Sequence, residues 1–201
     1  MSVKSVYMPQ LDPRQQLRKQ IRLQRSALSP LQQLEASQAI LEYLQDDPEL
    51  IPMQRVALYL AFDGELDLSL LINWLWQQGK QVYVPLVDPT KNGEMCFHRY
   101  QASSPLQANR FGIGEPIFDA KQVIDAQQLD LILAPLVAFD SQGNRLGMGG
   151  GYYDRLLAQI SGDKPLVIGL AHDCQQINEV PVQAWDQPLK RIITPSRYWC
   201  W

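Results

Sequence analysis

Apolar residues recur along the chain with two different spacings, and the change between them divides it in two. Over residues 12–50 the spacing is helical. Leu17, Ile21 and Leu28 stand four and seven residues apart, one stripe on a helix that Asp12 caps and Pro13 begins. Ser29-Pro30-Leu31-Gln32 reads as a capping box opening a second helix, with a buried face expected at Leu31, Leu34, Leu41 and Leu44 and an end at Asp46-Asp47-Pro48. From residue 51 onward short apolar runs alternate with amphipathic segments. Runs at 55–61 (RVALYLA), 81–87 (QVYVPLV), 129–137 and 166–170 predict buried strands, with shorter ones at 95–100 and 191–194. Leu68, Leu71, Ile72 and Leu75 predict a helix stopped by Gly79, and Tyr153, Leu156, Leu157 and Ile160 predict another over 152–160. Residues 101–128 show little periodicity and read as mostly irregular. Strand, helix and strand within about thirty residues make a βαβ unit. The expected fold is α/β: an open, mostly parallel sheet flanked by helices in a Rossmann-like three-layer arrangement. One domain spans 1–201, with residues 1–50 as an N-terminal helical hairpin and 51–201 as the α/β body.

Composition narrows the function classes. A chain of 201 residues buries enough surface to fold without metal or disulfide. Eighteen basic against twenty-one acidic residues leave a net charge of −3, so nucleic acid is not an expected partner. No apolar stretch approaches the ~20 residues of a membrane span. The opening MSVKSVYMPQ lacks the apolar run of a signal peptide. Cys96, Cys174 and Cys200 have no CxxC spacing, which argues against a disulfide framework or a zinc site. A monomer in the cytoplasm is expected, without membrane or nucleic-acid partners.

In open α/β sheets ligands bind beyond the carboxyl ends of the strands. Three loops leave such ends: Phe62-Asp63-Gly64-Glu65, the segment 139–151, and the segment from Ala171-His172-Asp173 to Trp185-Asp186. The second contains Asn144-Arg145-Leu146-Gly147-Met148-Gly149-Gly150-Gly151-Tyr152-Tyr153-Asp154-Arg155. Four glycines in five positions just before a helix bare several backbone N–H groups, a nest suited to phosphate. Tyr152 at the sixth position departs from the dinucleotide fingerprint, and no Gly-Lys-Ser/Thr occurs. Glycine clusters are also flexible turns; Arg145, the paired tyrosines and Asp154 weigh against that reading here. By itself, the stripe Arg14, Arg18, Arg22, Arg25 reads as a solvated helix face, and Glu65 as a helix-capping loop carboxylate. His172 is a candidate general base of low rank, Trp185 a side chain that shapes the site, and Trp199 and Trp201 a docked aromatic tail. His98 and the cysteines read as structural.

The segment NRLGMGGGYYDR resembles the signature of the 5-formyltetrahydrofolate cyclo-ligases, also called methenyltetrahydrofolate synthetases, in their bacterial branch. The resemblance extends in order through Arg14–Arg18, FDGELD at 62–67, FGIGEP at 111–116, APLVAFD at 134–140, GLAHDCQ at 169–175 and VPVQAWDQPL at 180–189. It implies an ATP- and Mg²⁺-dependent enzyme that converts 5-formyltetrahydrofolate to 5,10-methenyltetrahydrofolate and releases ADP and phosphate. Carried over by position, it implies that Arg14 and Arg18 contact ATP, together with Arg145, Leu146, Gly147, Met148, Gly149, Gly150, Gly151, Tyr152 and Tyr153. Leu60, Glu65, Phe111 and the stretch Met148 to Tyr152 would contact the folate. Asp154 and Asp186 would be associated with Mg²⁺, and Arg145 and Asp154 would serve catalysis. Two positions depart from the family pattern: Arg14 stands where Lys is more common, and Gly150 where many members carry Lys. Two further enzyme classes, sugar-phosphate isomerase and CoA transferase, use similar sheets, and a non-catalytic nucleotide-binding module is a third reading.

Overall fold

The computed structural model describes residues 12–89, 94–109, 114–162 and 164–201. Asp12 accepts the Arg14 N–H through Oδ1 at 3.1 Å and Pro13 takes the first helical position, so α1 runs Pro13–Ser26. Ser29 Oγ accepts the Gln32 N–H at 3.2 Å while Gln32 Oε1 accepts the Ser29 N–H at 2.9 Å, and this reciprocal box opens α2, Pro30–Gln45. There follow β1 (Arg55–Ala57), α3 (Ser69–Gln77), β2 (Gln81–Val87), β3 (Met95–Arg99), β4 (Leu106–Ala108), β5 (Gly114–Pro116), β6 (Val123–Ile124), β7 (Leu131–Pro135), β8 (Ala138–Phe139), β9 (Arg145–Leu146), α4 (Tyr152–Gln159), β10 (Leu166–Leu170), β11 (Arg191–Thr194) and β12 (Arg197–Cys200).

Among the described residues, eight strands form one sheet in the order β12-β11-β10-β7-β1-β2-β3-β6. The ladders β2/β1, β1/β7, β7/β10 and β10/β11 are parallel, and the outer pairs are antiparallel. Strands buried on both faces need continuous apolar runs, which is why β7 and β10 read so clearly in sequence. Alternate residues feed two cores. Val56, Leu131, Leu133 and Ile168 pack beneath α2 and α3, while Ala57, Ile132, Ala134 and Val167 pack beneath Leu156 of α4. The result is a helix–sheet–helix sandwich, the expected α/β class. From β1 the chain moves outward to β2 on one side and later returns through β7 on the other. The gap between the carboxyl ends of β1 and β7 is therefore the topological switch point.

Several boundaries differ from the sequence expectation. The 55–61 run forms a ladder only over Arg55–Ala57, although the Leu58 N–H still donates to Tyr83 O at 3.0 Å. The chain then leaves the sheet to form the loop that carries Glu65. In α2 half of the expected leucine face holds: Leu44 is buried and Leu41 packs against the core, whereas Leu31 and Leu34 are exposed and Ala36, Ser37 and Ile40 complete the buried face. The 101–128 stretch contains the β4/β5 hairpin and β6, and the aromatic tail is β12, with Trp199 edge-on to Phe139 and Trp201 stacked on Trp199. Both hairpin helices belong to the core, since Ile21 of α1 packs with Val137, Ala138, Leu146 and Val180. No helix among the described residues is long and apolar enough to cross a membrane.

Candidate active site

A cleft of about 680 Å³ opens at the switch point. Its floor is Pro135 and Leu136 at the end of β7, and one flank is Pro85–Val87 at the end of β2. Gly147 and the run Met148–Asp154 form the opposite flank, Glu65 enters from the loop after β1, and Arg14 and Arg18 close it from α1. The size falls in the range of small-molecule sites.

The glycine loop is shaped and covered by arginines. β8 and β9 pair in a short hairpin that delivers Arg145 beneath the loop, and the left-handed Gly151 (φ +67°) turns the chain into α4. Gly149, at φ +103°, lies under the Arg18 guanidinium, and Arg18 Nε donates to Gly147 O at 2.8 Å. A Cβ at Gly150 would stand 2.9 Å from the Tyr152 ring, so a side chain here requires that ring to move. Burial, and then the neighbouring Arg14, lower the Arg18 pKa from its ordinary value. Arg145 is only 4% exposed; its Nη2 donates to Asp154 Oδ1 at 2.8 Å, and its buried Nε has no partner among the described residues. Two cations thus lie above and below a loop that bares backbone N–H groups at a helix N-terminus, an arrangement complementary to phosphate.

The other side is anionic. Glu65 accepts the Phe62 N–H through Oε2 at 3.2 Å and faces Arg25 Nη1 at 3.8 Å through Oε1. Burial pushes its carboxyl up to about 7, against the pull of Arg25 and the Phe62 N–H. Tyr153 is carried on α4 toward Glu65, and burial, then the Glu65 charge, raise its phenol well above its ordinary value. It stays neutral.

The two aspartates differ. Asp186 is gripped by both terminal nitrogens of Arg14, with Nη2 to Oδ1 at 3.0 Å and Nη1 on Oδ2, and it also accepts the Gln183 N–H at 2.7 Å. Burial would raise its carboxyl, but Arg14 and the Gln183 N–H more than reverse this, so it lies below the usual range. Asp154 lines the cleft; Oδ1 accepts from Arg145 and, at 3.3 Å, from the Gln187 N–H, leaving Oδ2 without a partner among the described residues. No group of three or more potential ligands among His, Cys, Asp and Glu occurs among the described residues. Mg²⁺ commonly takes one or two carboxylates with phosphate oxygens and water, and the open Asp154 oxygen beside the glycine loop fits that demand. Asp186, saturated by Arg14, fits a role through Arg14 or water.

The structure therefore brings together Arg14, Arg18, Glu65, Arg145, Gly147, Met148, Gly149, Gly150, Gly151, Tyr152, Tyr153 and Asp154. Three expected contacts are not on the cleft wall. Leu146 is fully buried against Ile21 and Val180, because β9 turns it inward while Arg145 turns to the loop. Leu60 packs against the main core, and Asp186 faces Arg14. Phe111 lies outside the described residues. His172 is buried and does not line the cleft, and burial together with Arg25 brings its imidazole down to about 4, so it is neutral. Arg22 and Arg25 are not a solvated face: Arg22 Nε donates to Asp63 Oδ2 at 2.5 Å, and Arg25 is fully buried. Sequence reasoning passes over Glu115, which lines the cleft from β5, although the FGIGEP motif contains it. Trp185, 65% exposed, lines the cleft.

Comparison with known proteins points in one direction. The profile of the 5-formyltetrahydrofolate cyclo-ligase family matches residues 10–195. The chain is 44% identical over 181 residues to the 5-formyltetrahydrofolate cyclo-ligase of Escherichia coli strain K12, covering 90% of this chain and 100% of that one. It is 42% identical over 180 residues to the cyclo-ligase of Haemophilus influenzae, covering 90% and 96%. Its fold is similar to the NMR structure of Aquifex aeolicus 5,10-methenyltetrahydrofolate synthetase, with a TM-score of 0.79, 32% identity and coverage of 93% and 92%. The Mycoplasma pneumoniae 5,10-methenyltetrahydrofolate synthetase gives a TM-score of 0.72 at 26% identity, covering 92% and 99%.

Proposed function

The chain belongs to the 5-formyltetrahydrofolate cyclo-ligase family and carries out the ATP-dependent conversion of 5-formyltetrahydrofolate to 5,10-methenyltetrahydrofolate; we propose that the switch-point cleft is where it does so, with ATP phosphates on the glycine loop and the pterin beside Glu65. The observation that carries this reading is that one cleft holds both chemistries, a cationic phosphate cradle and a largely desolvated carboxylate.

A formamide oxygen is a poor leaving group. In the proposed sequence the γ-phosphoryl group moves to the formyl oxygen as its bond to ADP breaks. The N10 lone pair then attacks the formyl carbon, the new C–N bond closes the ring, phosphate leaves with the C–O electron pair, and the N10 proton passes to water. Phosphoryl transfer asks the protein for alignment and neutralised charge. Arg18 above the loop, Arg145 below it and the N–H groups at the start of α4 hold the triphosphate. Arg14, fixed by Asp186 and by its bond to Pro181 O at 2.9 Å, adds a cation at the same wall. Glu65 accepts N–H donors of the pterin and orients the formyl group. Trp185 and Met148, both exposed on the rim, cover the bound ligands and limit water. Asp154 would hold Mg²⁺ with the phosphate oxygens, where the ion supplies charge neutralisation for the transferred phosphoryl group.

The test is an absorbance assay for methenyltetrahydrofolate with the purified chain. Product is expected only when ATP, Mg²⁺ and 5-formyltetrahydrofolate are all present. Product without ATP would sink the reading.

A further inference from the structure

The buried end of α1 carries a charge cluster with no part in the ATP wall. Arg25 is fully buried and does not line the cleft. Asp63 holds it twice: Nε donates to Asp63 O at 3.0 Å and Nη2 to Oδ2 at 3.2 Å. Its Nη1 has no hydrogen-bond partner among the described residues and lies 3.8 Å from Glu65 Oε1. Arg22 shares the same Asp63 oxygen. Two guanidinium groups thus meet two carboxyl groups, and the four charges balance only when Glu65 is ionised. A buried guanidinium without a compensating anion is costly, so Arg25 favours the ionised carboxylate and offsets part of the desolvation that opposes it.

We propose that Arg25 is a positioning residue that keeps the Glu65 carboxylate ionised and aimed into the cleft, so that it can accept the N–H donors of the pterin. The proposal rests on the assignment of Glu65 to the folate wall. The groups facing Glu65 are Arg22 and Arg25 from α1, Asp63 from its own loop, Tyr59 after β1, Tyr153 from α4 and His172 after β10. Both phenols are raised by burial and His172 is neutral, while Arg22 and Asp63 offset each other. Arg25 is left as the cation that opposes the desolvation of Glu65. It reaches the substrate only through Glu65, and the loop between them spans four residues, Phe62 to Glu65.

The experiment measures KM for ATP and for 5-formyltetrahydrofolate from pH 6 to 9 in wild type, Arg25→Gln, Arg25→Lys, Glu65→Gln and the Arg25→Gln/Glu65→Gln double variant, with circular dichroism to confirm folding. Arg25→Gln should raise the folate KM about tenfold at pH 7 and leave the ATP KM within about twofold. That defect should shrink toward pH 9, because a Glu65 with a raised pKa still ionises there. Arg25→Lys should give an intermediate pH midpoint, and the double variant should be no worse than Glu65→Gln and show no recovery with pH. If Arg25→Gln does not fold, Arg25→Lys decides alone: a midpoint at the wild-type pH overturns the proposal. A folded Arg25→Gln with wild-type folate KM, beside an impaired Glu65→Gln, also overturns it and leaves the folate wall standing. A Glu65→Gln enzyme with wild-type folate KM removes both the assignment of Glu65 and the proposal built on it.

Discussion

Glu65 and His172 are neighbours whose burial pulls stability in opposite directions. The Glu65 carboxyl is raised from 4.5 to about 7, so the folded state binds its proton more tightly than the unfolded chain. Its contribution is fully present below about pH 4.5 and is lost as pH rises through 7, roughly 3 kcal/mol at 1.36 kcal/mol per unit. His172 is lowered from 6.5 to about 4, so its contribution is present above pH 6.5 and is lost as pH falls through 4. The two slopes oppose each other in the wild type, but the His172 share is common to a Glu65→Gln comparison. Urea unfolding without ligands should therefore find Glu65→Gln more stable than wild type by about 3 kcal/mol at pH 8 and level with it near pH 4.5. A constant difference across that range would show that Glu65 is not desolvated. Asp154 gives a second residue-scale outcome. With one oxygen on Arg145 and the other open to the cleft, Asp154→Asn should cut turnover severely and raise the Mg²⁺ concentration needed for half-maximal rate. Asp186→Asn should be milder, because its carboxylate is committed to Arg14. A Mg²⁺ titration of both variants checks the order; equal, wild-type metal dependence would make Asp154 a helix-cap residue only.

Among the elements, the helices show where local signals suffice. Asp12, Pro13 and the Ser29–Gln32 box are contacts within a few residues, and the structure forms each as the sequence reads. Ser29→Ala should cost about 1 kcal/mol and lower the melting temperature by about 2–4 °C. It should leave both KM values unchanged, since α2 does not border the cleft; a changed KM would tie α2 to the site. What the sequence leaves hidden is what covers each helix. Leu31 and Leu34 have helical spacing, yet the adjoining face of Ala36, Ile40 and Leu44 is the one that packs into the core shared with α3 and the sheet. Arg25 continues the stripe of Arg14 and Arg18, and only the descent of the 62–65 loop, 38 residues away, turns a solvated position into a buried ion cluster. The glycine loop is legible because its chemistry lies in consecutive residues. Glu115, Leu60 and Leu146 are not, because each depends on which face of a short strand or loop meets the cleft.

Over the whole molecule the chain carries a net charge of −3, yet three arginines border one wall of its principal cleft. The parallel centre of the sheet produces this separation. Strands β1 and β7 send their following loops to the same rim, one ending in Glu65 and the other in the glycine loop, and α1 closes the cleft between them. The central strands were legible from the apolar runs, while the antiparallel edges β6 and β12 were not, being short or rich in exposed residues. The central claim is this division of one cleft into a nucleotide wall and a folate wall. It is tested most directly by steady-state KM values for both substrates in Arg18→Ala and Glu65→Gln. A charged hydrogen bond to phosphate is worth roughly 1.5–3 kcal/mol, so Arg18→Ala should raise the ATP KM about ten- to a hundredfold and leave the folate KM nearly unchanged. Glu65→Gln should do the reverse. Two variants that raise both KM values alike would contradict the account.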